Sequence, residues 1–131
     1  MKQDSIMGTL KAKIRKQYVR VSDKDMYVAH TLPGAKINMD EMIRLAAEDS
    51  GMSEAMVAAS FYALSKQFEE MLMNGHTLQC GVFGTFRTSF SCKATEDIKE
   101  MSAENISRRR IIYTASARVK RALYSAKYEF E

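Results

Sequence analysis

The strongest pattern in this sequence is an apolar repeat that predicts one long α-helix. Five apolar side chains recur at spacings of four, three, four and four residues: Val57, Phe61, Leu64, Phe68 and Leu72. This spacing lines them along one side of a helix, which Ser53 can cap at its start and Asn74-Gly75 can end. At a rise of 1.5 Å per residue, about twenty residues make a helix roughly 30 Å long. A helix with this much apolar surface needs a large surface of other residues to cover it.

The residues on either side predict a second helix and a group of strands. Asn38 and Glu41 have capping-box spacing and start a shorter helix, which Ser50-Gly51 ends. After Gly75 the pattern changes to the alternation that favours strands. The predicted elements are a strand in His76–Cys80, a turn at Gly81–Gly84, strands at Thr85–Cys92 and Arg108–Tyr113, a helix at Ala115–Ser125 and a last strand at 128–130.

Alternation also assigns the side chains of two strands to faces. Along Thr85–Cys92, Phe86 and Phe90 take one face, and the other face carries Thr85, Arg87, Ser89 and Ser91. Unbroken alternation along Arg108–Tyr113 places Arg108 and Arg110 on a common face. These arginines are candidate phosphate contacts, and the alternative is that they are solvated charges that discourage aggregation at a strand edge.

The N-terminal part of the chain predicts a β-hairpin followed by a linker. Leu10, Ala12 and Ile14 alternate with basic residues, residues 22–24 form a polar turn, and residues 26–30 suit a return strand. The basic stripe of Lys11, Lys13 and Arg15 is interpreted as the wet face of this strand. Pro33 breaks the pattern. We divide the chain into residues 1–37, a hairpin extension and linker, and residues 38–131, a helix-and-sheet domain.

These elements predict an α+β fold that one chain cannot complete. One long apolar helix and a three-stranded sheet are too little to enclose a core alone, whereas apolar residues make up 46% of the 131. A second copy would cover the remaining apolar surface. We therefore expect an obligate homodimer.

The charge is distributed unevenly along the chain, which raises the possibility of a polyanionic partner. The formal net charge is +4. Residues 1–38 have eight Lys/Arg and three Asp/Glu, a net charge of +5. Residues 39–90 have three Lys/Arg and seven Asp/Glu, a net charge of −4, and residues 91–131 have nine Lys/Arg and six Asp/Glu, a net charge of +3. Clustered cations bind nucleic acid because neutralised phosphates release counterions. The alternative is a solvated surface.

Other function classes find little support in the sequence. Cys80 and Cys92 lack a second pair, and neither His30 nor His76 has partners at metal-ligand spacing. No window of the sequence reaches eighteen consecutive apolar residues, and no secretory signal is visible at the N-terminus. We expect no metal, cofactor, catalytic residue, small-molecule substrate or membrane association, and thus a cytoplasmic protein that is not an enzyme.

The glycine-rich stretch GVFGTF, Gly81–Phe86, raises the possibility of a nucleotide-binding loop. A P-loop needs Gly-Lys-Ser/Thr leading into a helix, whereas Thr85-Phe86 lead into a strand. We interpret the stretch as a hairpin turn in which glycines supply positive φ angles.

Four segments together resemble the HU and integration-host-factor family of bacterial histone-like DNA-binding proteins. They are NMDEMIRLAAEDSGMS at 38–53, the long helix ending LMNGHTLQ at 72–79, the hairpin GVFGTF, and RRIIYTASARVKRAL at 109–123. The N-terminal hairpin and the KYEFE tail resemble an extended HU-like branch. The resemblance implies an intertwined HU-like homodimer in which two N-terminal helices, a three-stranded antiparallel sheet with a β-arm at about 91–107, and a C-terminal helix follow the hairpin extension.

The same resemblance implies a function as an architectural protein of the nucleoid. Family members hold duplex DNA by its backbone and minor groove with little sequence specificity, and touch phosphates at the glycine turn and at the start of the last helix. The positions of this sequence that match are Gly81, Gly84, Arg87, Lys93, Arg108, Arg110, Ser116 and Arg118.

One segment departs from the family pattern. The arm, residues 91–107, lacks the proline that family members insert between base pairs, and it carries Glu96, Asp97, Glu100 and Glu104 against Lys93 and Lys99. Strong DNA kinking is therefore not expected. The alternative function is a dimeric protein-interaction module that keeps the scaffold and has lost DNA binding.

Overall fold

The computed structural model describes residues 8–131, which form two compact units. One unit contains residues 8–38 and 118–131, and the other contains residues 39–117. Within the described residues there are three α-helices and two three-stranded sheets. An α+β architecture is therefore confirmed.

The first unit is a sheet with strand order β2-β1-β6. Its strands are β1 (Thr9–Val19), β2 (Lys24–Thr31) and β6 (Lys127–Phe130), with α3 (Ala117–Ser125) before β6. β1 and β2 are antiparallel, while β6 runs parallel to β1 and its end is held by a 2.8 Å bond from the Glu131 amide to the Ala12 carbonyl. Because of this pairing, residues 118–131 group with the hairpin, whereas the sequence division at residue 37 assigned them to the other domain.

The second unit contains α1 (Met39–Ser50), α2 (Glu54–Met73) and a sheet with order β3-β4-β5. Its antiparallel strands are β3 (Leu78–Gln79), β4 (Thr85–Cys92) and β5 (Ile106–Thr114). Ser53 caps α2 by accepting from the Met56 amide at 3.2 Å, and Gly75 follows the helix at φ 86°. Both predicted ends of the long helix are confirmed.

The core of the second unit joins α2 to one face of the sheet. Leu72 is 2% exposed, and the Phe68 ring meets the edge of Phe86 with ring centroids 5.1 Å apart. Phe86 in turn contacts Tyr113, across a centroid distance of 5.0 Å. Leu64, from the same apolar repeat, is 71% exposed. A single chain therefore covers only part of the apolar side of α2.

The predicted β-arm at about 91–107 takes a different form. The strands end at Cys92 and begin again at Ile106, and a 2.8 Å bond from the Lys93 amide to the Asn105 carbonyl closes the loop between them. The loop contains two 3-10 turns, one with Asp97 accepting from the Lys99 amide and one with Asn105 accepting from the Ser102 amide. Such side-chain bonds to the backbone compete with a strand ladder, which explains why residues 93–105 do not extend as a ribbon.

A β-bulge interrupts the alternation on β5. Ser89 pairs with Arg110 and Ser91 pairs with Ser107, so β5 has one residue more than β4 between these pairs. Arg108 occupies the left-handed region, at φ 48°. Ser107 and Arg110 consequently share a face although they are three residues apart. The prediction that Arg108 and Arg110 share a face by unbroken alternation is wrong at this point.

Candidate nucleic-acid interface

The sheet of the second unit has a polar face opposite the face that packs on α2. Directly paired residues point to the same side of a sheet. The pairs Thr85–Thr114, Arg87–Ile112, Ser89–Arg110 and Ser91–Ser107 therefore lie on the side away from Phe86. We call the side chains of these eight residues the polar face. The predicted grouping of Arg87 with Ser89 and Ser91 is confirmed.

Two arginines give the polar face its charge. Arg87 and Arg110 are diagonal neighbours across β4 and β5, and both are exposed. Diagonal neighbours lie about 7–8 Å apart. Within residues 8–131, neither arginine forms an ion pair. The N–H donors of their guanidinium groups are therefore not used in ion pairs and suit the oxygens of a phosphate.

Arg44 shows what a compensated cation looks like in the same unit. It pairs with Glu41 and, at 2.7 Å, with Glu48, one turn away on either side along α1. The hydrogen bond from Arg44 lowers the pKa of the Glu41 carboxyl, and the same bond raises the pKa of Arg44. Arg44 therefore has less to offer an external anion than Arg87 or Arg110.

The turn between β3 and β4 lies against the end of β5. Gly84 is buried at φ 103°, and a Cβ there would collide with the Thr114 carbonyl oxygen and lie 2.9 Å from the Tyr113 ring. The position demands glycine because of both this close approach and the backbone angle. The predicted hairpin turn is confirmed, and its glycine sets how closely the turn approaches β5.

Ser116 ties the same turn to the start of α3. Its hydroxyl donates to the Val82 carbonyl at 2.9 Å. Two positions that the sequence predicted separately, the Gly81–Gly84 turn and Ser116, are thus adjacent.

Only part of this turn can offer amides to a ligand. The amides of Phe83 and Gly84 donate to the carbonyls of Cys80 and Gly81, at 3.1 and 3.0 Å. The Gly84 amide is therefore not available to a ligand, and Gly84 contributes to the turn through its backbone conformation. Gly81 and Val82 start the 3-10 turn, where amides have no carbonyl within the turn to bond.

The remaining predicted contacts have separate positions. Lys93 follows β4 and closes the arm loop through its backbone, and its side chain is exposed. Arg108 is exposed at the bulge, beside Arg109. Arg118 is exposed on α3, in the first unit. Sequence reasoning did not include the hydroxyls of Ser89, Ser91 and Thr114 in the site, although the alternation of β4 already placed the two serines beside Arg87.

The described part of the chain contains neither a metal-binding cluster nor a membrane-spanning helix. Among residues 8–131, no three His, Cys, Asp or Glu side chains are grouped to hold a metal ion. No helix of that span has the length and apolar character that crossing a bilayer requires.

Residues 9–131 match the model of a known protein family. The family is HU-HIG, an HU domain fused to wHTH, Ig, or Glycine-rich motif. The chain belongs to this family. The HU-HIG match begins at β1 and so includes the N-terminal hairpin as well as the helices and the second sheet. The resemblance to HU proteins is confirmed.

A solved structure supports the fold of this HU-HIG chain. It is the crystal structure of a candidate bacterial DNA-binding protein from Bacteroides vulgatus ATCC 8482, with a TM-score of 0.70 and 17% sequence identity. The similarity covers 94% of this chain and 48% of that one, so this chain spans about half the length of the solved protein. The comparison with curated proteins gives no match.

Proposed function

We propose that this chain is a homodimeric HU-like protein that binds the backbone and minor groove of duplex DNA with little sequence specificity. The observation that carries the proposal is the polar face, where Arg87 and Arg110 are exposed, unpaired within the described residues and flanked by serine and threonine hydroxyls. These are donors for phosphate oxygens, which fix a protein on DNA without reading bases. Family membership points the same way.

The adjoining turn extends the proposed contact. The amides of Gly81 and Val82 are donors without a carbonyl partner inside the turn, and Ser116 holds this turn by its bond to Val82. Successive backbone amides in such a turn suit an anion. Lys93 and Arg108 add charge at the arm base and at the bulge, and Arg118 adds charge at the start of α3.

A homodimer is part of the proposal because the second unit exposes large apolar side chains. Leu64, Met73 and Phe83 are 71%, 65% and 67% exposed in the single chain. Exposed apolar surface on this scale marks an interaction surface. Two copies would also present two polar faces to one duplex. As a DNA-binding protein of the nucleoid, the dimer would act in the cytoplasm.

The arm argues against strong DNA kinking. Kinking proteins insert an apolar wedge between base steps, but residues 93–105 form a closed loop with four carboxylates and two lysines. A net negative loop would be repelled from phosphates. The same observation favours the second candidate, a dimeric protein-interaction module that has lost DNA binding.

Paired variants of equal charge test the proposal. Arg87→Gln/Arg110→Gln removes the two cations of the polar face, and Lys36→Gln/Lys66→Gln removes two exposed cations elsewhere. We expect the first variant to lose at least about tenfold in duplex affinity, about 1.4 kcal/mol, and the second to lose much less. Equal losses would contradict the proposed site, and negligible affinity of the wild type together with partner capture would favour the interaction module.

A further inference from the structure

The pairing register of the first unit places five of the six basic residues of its strands on one face of the sheet. Lys11, Lys13 and Arg15 alternate along β1, and residues opposite them in neighbouring strands share their side. Lys127 lies beside Thr9, and Lys24 lies beside Val19. We call Lys11, Lys13, Arg15, Lys24 and Lys127 the basic face. β6 contributes to this surface only because it pairs with β1, which the sequence alone did not reveal.

The charge of the two faces differs strongly. The side of the sheet that carries the basic face has these five cations and two carboxylates, Glu129 and Glu131, and thus a net charge of +3; Glu131 counts here because its backbone bonds to Ala12 and Ile14 continue the ladder opposite Lys13. The opposite face has one cation, Lys16, and one carboxylate, Asp25, among apolar and aromatic side chains that include Leu10, Ile14 and Phe130. A surface selected only for solubility mixes both signs. On the side that carries the basic face, by contrast, cations outnumber carboxylates by five to two.

The cations of the basic face are accessible. All five side chains are exposed, and within residues 8–131 none forms an ion pair. Lys11 is opposite Glu129 in register, yet the two side chains do not pair. An anion can therefore bind these side chains without first breaking an internal ion pair.

We propose that the basic face is a second phosphate-binding surface and that its ligand is the sugar-phosphate backbone of nucleic acid. Alternate residues of a strand are about 6.6 Å apart, and each DNA strand carries one phosphate per 3.4 Å of helix axis. The three cations of β1 therefore form a row of positive charge about 13 Å long, which can contact several phosphates of a DNA strand. This inference extends the proposed function, since it assigns nucleic acid to a surface outside the polar face.

The salt dependence of affinity separates the two surfaces. The logarithm of the binding constant falls with the logarithm of salt concentration by about 0.9 per neutralised phosphate. Lys11→Gln/Lys13→Gln/Arg15→Gln should therefore reduce this slope by about 2 to 3 for a duplex of fixed length. The control, Lys16→Gln/Lys36→Gln/Lys66→Gln, removes the same charge from other surfaces and should change the slope by less than about 1. Circular dichroism and thermal melting of each variant check that it folds.

The outcomes are distinguishable from those of the polar-face test. If the basic-face variant keeps the wild-type slope while Arg87→Gln/Arg110→Gln lowers it, the inference is overturned and the proposed function stands. If Arg87→Gln/Arg110→Gln retains a slope that the basic-face substitutions then abolish, the inference is supported even though the polar face fails. Binding of the basic face to phosphatidylserine vesicles in place of DNA would overturn it.

Discussion

The Ser116 hydroxyl donates to the Val82 carbonyl at 2.9 Å, which joins the turn before β4 to the residue before α3. The bond links positions 34 residues apart in the sequence. It places two candidate phosphate-contact segments side by side, because the turn also packs against the end of β5 through Gly84. The candidate interface is therefore assembled by long-range contacts and not by one contiguous motif.

Gly84→Ala should destabilise the protein strongly. The new Cβ would collide with the Thr114 carbonyl oxygen and force alanine to a φ of 103°. Backbone strain of this kind costs about 1–3 kcal/mol, and the collision adds to it, so we expect a loss of about 3 kcal/mol or more in the free energy of unfolding. Urea denaturation measures it.

Gly81→Ala is the matched control for this variant. Gly81 has a φ of 59° in the same turn, but no atom lies within 4 Å of the Cβ position. Only the backbone cost of about 1 kcal/mol is expected. Equal losses from the two substitutions would show that the approach of the turn to β5 contributes nothing.

Leu64→Glu tests the proposed dimer. In a monomer the substitution would change little, because Leu64 is already 71% exposed. In a dimer that buries α2 it would place an unpaired charge in an apolar interface and weaken association at least about tenfold. Analytical ultracentrifugation of this variant beside Val21→Glu, at a position 99% exposed in the hairpin turn of the first unit, measures the difference. Identical dimer stability of the two variants would exclude α2 from the interface.

Neutralising the arm should strengthen DNA binding. Glu96→Gln/Glu100→Gln/Glu104→Gln removes three negative charges and leaves Asp97, whose side chain caps the Lys99 amide. If the arm lies near phosphates, affinity should rise at least about threefold at low salt, since like charges repel. The control is Glu54→Gln/Glu69→Gln/Glu70→Gln on α2, which should raise affinity less. An equal rise would mean that net charge alone acts.

The sequence predicted features that depend on local residue patterns. The long helix, its Ser53 cap and the faces of β4 followed from spacing, because a helix or strand repeats over a few residues. Three features escaped prediction. The bulge at Arg108 breaks alternation without a glycine to mark it, the arm loop depends on side-chain bonds to the backbone, and the pairing of β6 with β1 joins opposite ends of the chain.

The Glu41–Arg44 pair should make the stability of the protein depend on pH in the acid range. Glu41 has its pKa lowered from 4.5 by the hydrogen bond from Arg44. Its contribution is present above the unfolded pKa and is lost as pH falls through the lower folded value. The free energy of unfolding of Glu41→Gln should therefore decrease less steeply with falling pH, in this acid range, than that of the wild type. The difference should shrink in high salt, since the pair is exposed, and identical acid profiles would contradict this account.

The most direct test of DNA binding is the salt dependence of wild-type affinity for a short duplex of arbitrary sequence. The account predicts binding at low salt and a linear fall of the logarithm of the binding constant with the logarithm of salt concentration, with a slope of about −0.9 per phosphate contacted. Duplexes of unrelated sequence should give the same line. Undetectable binding at low salt, or an affinity that does not change with salt, would contradict it.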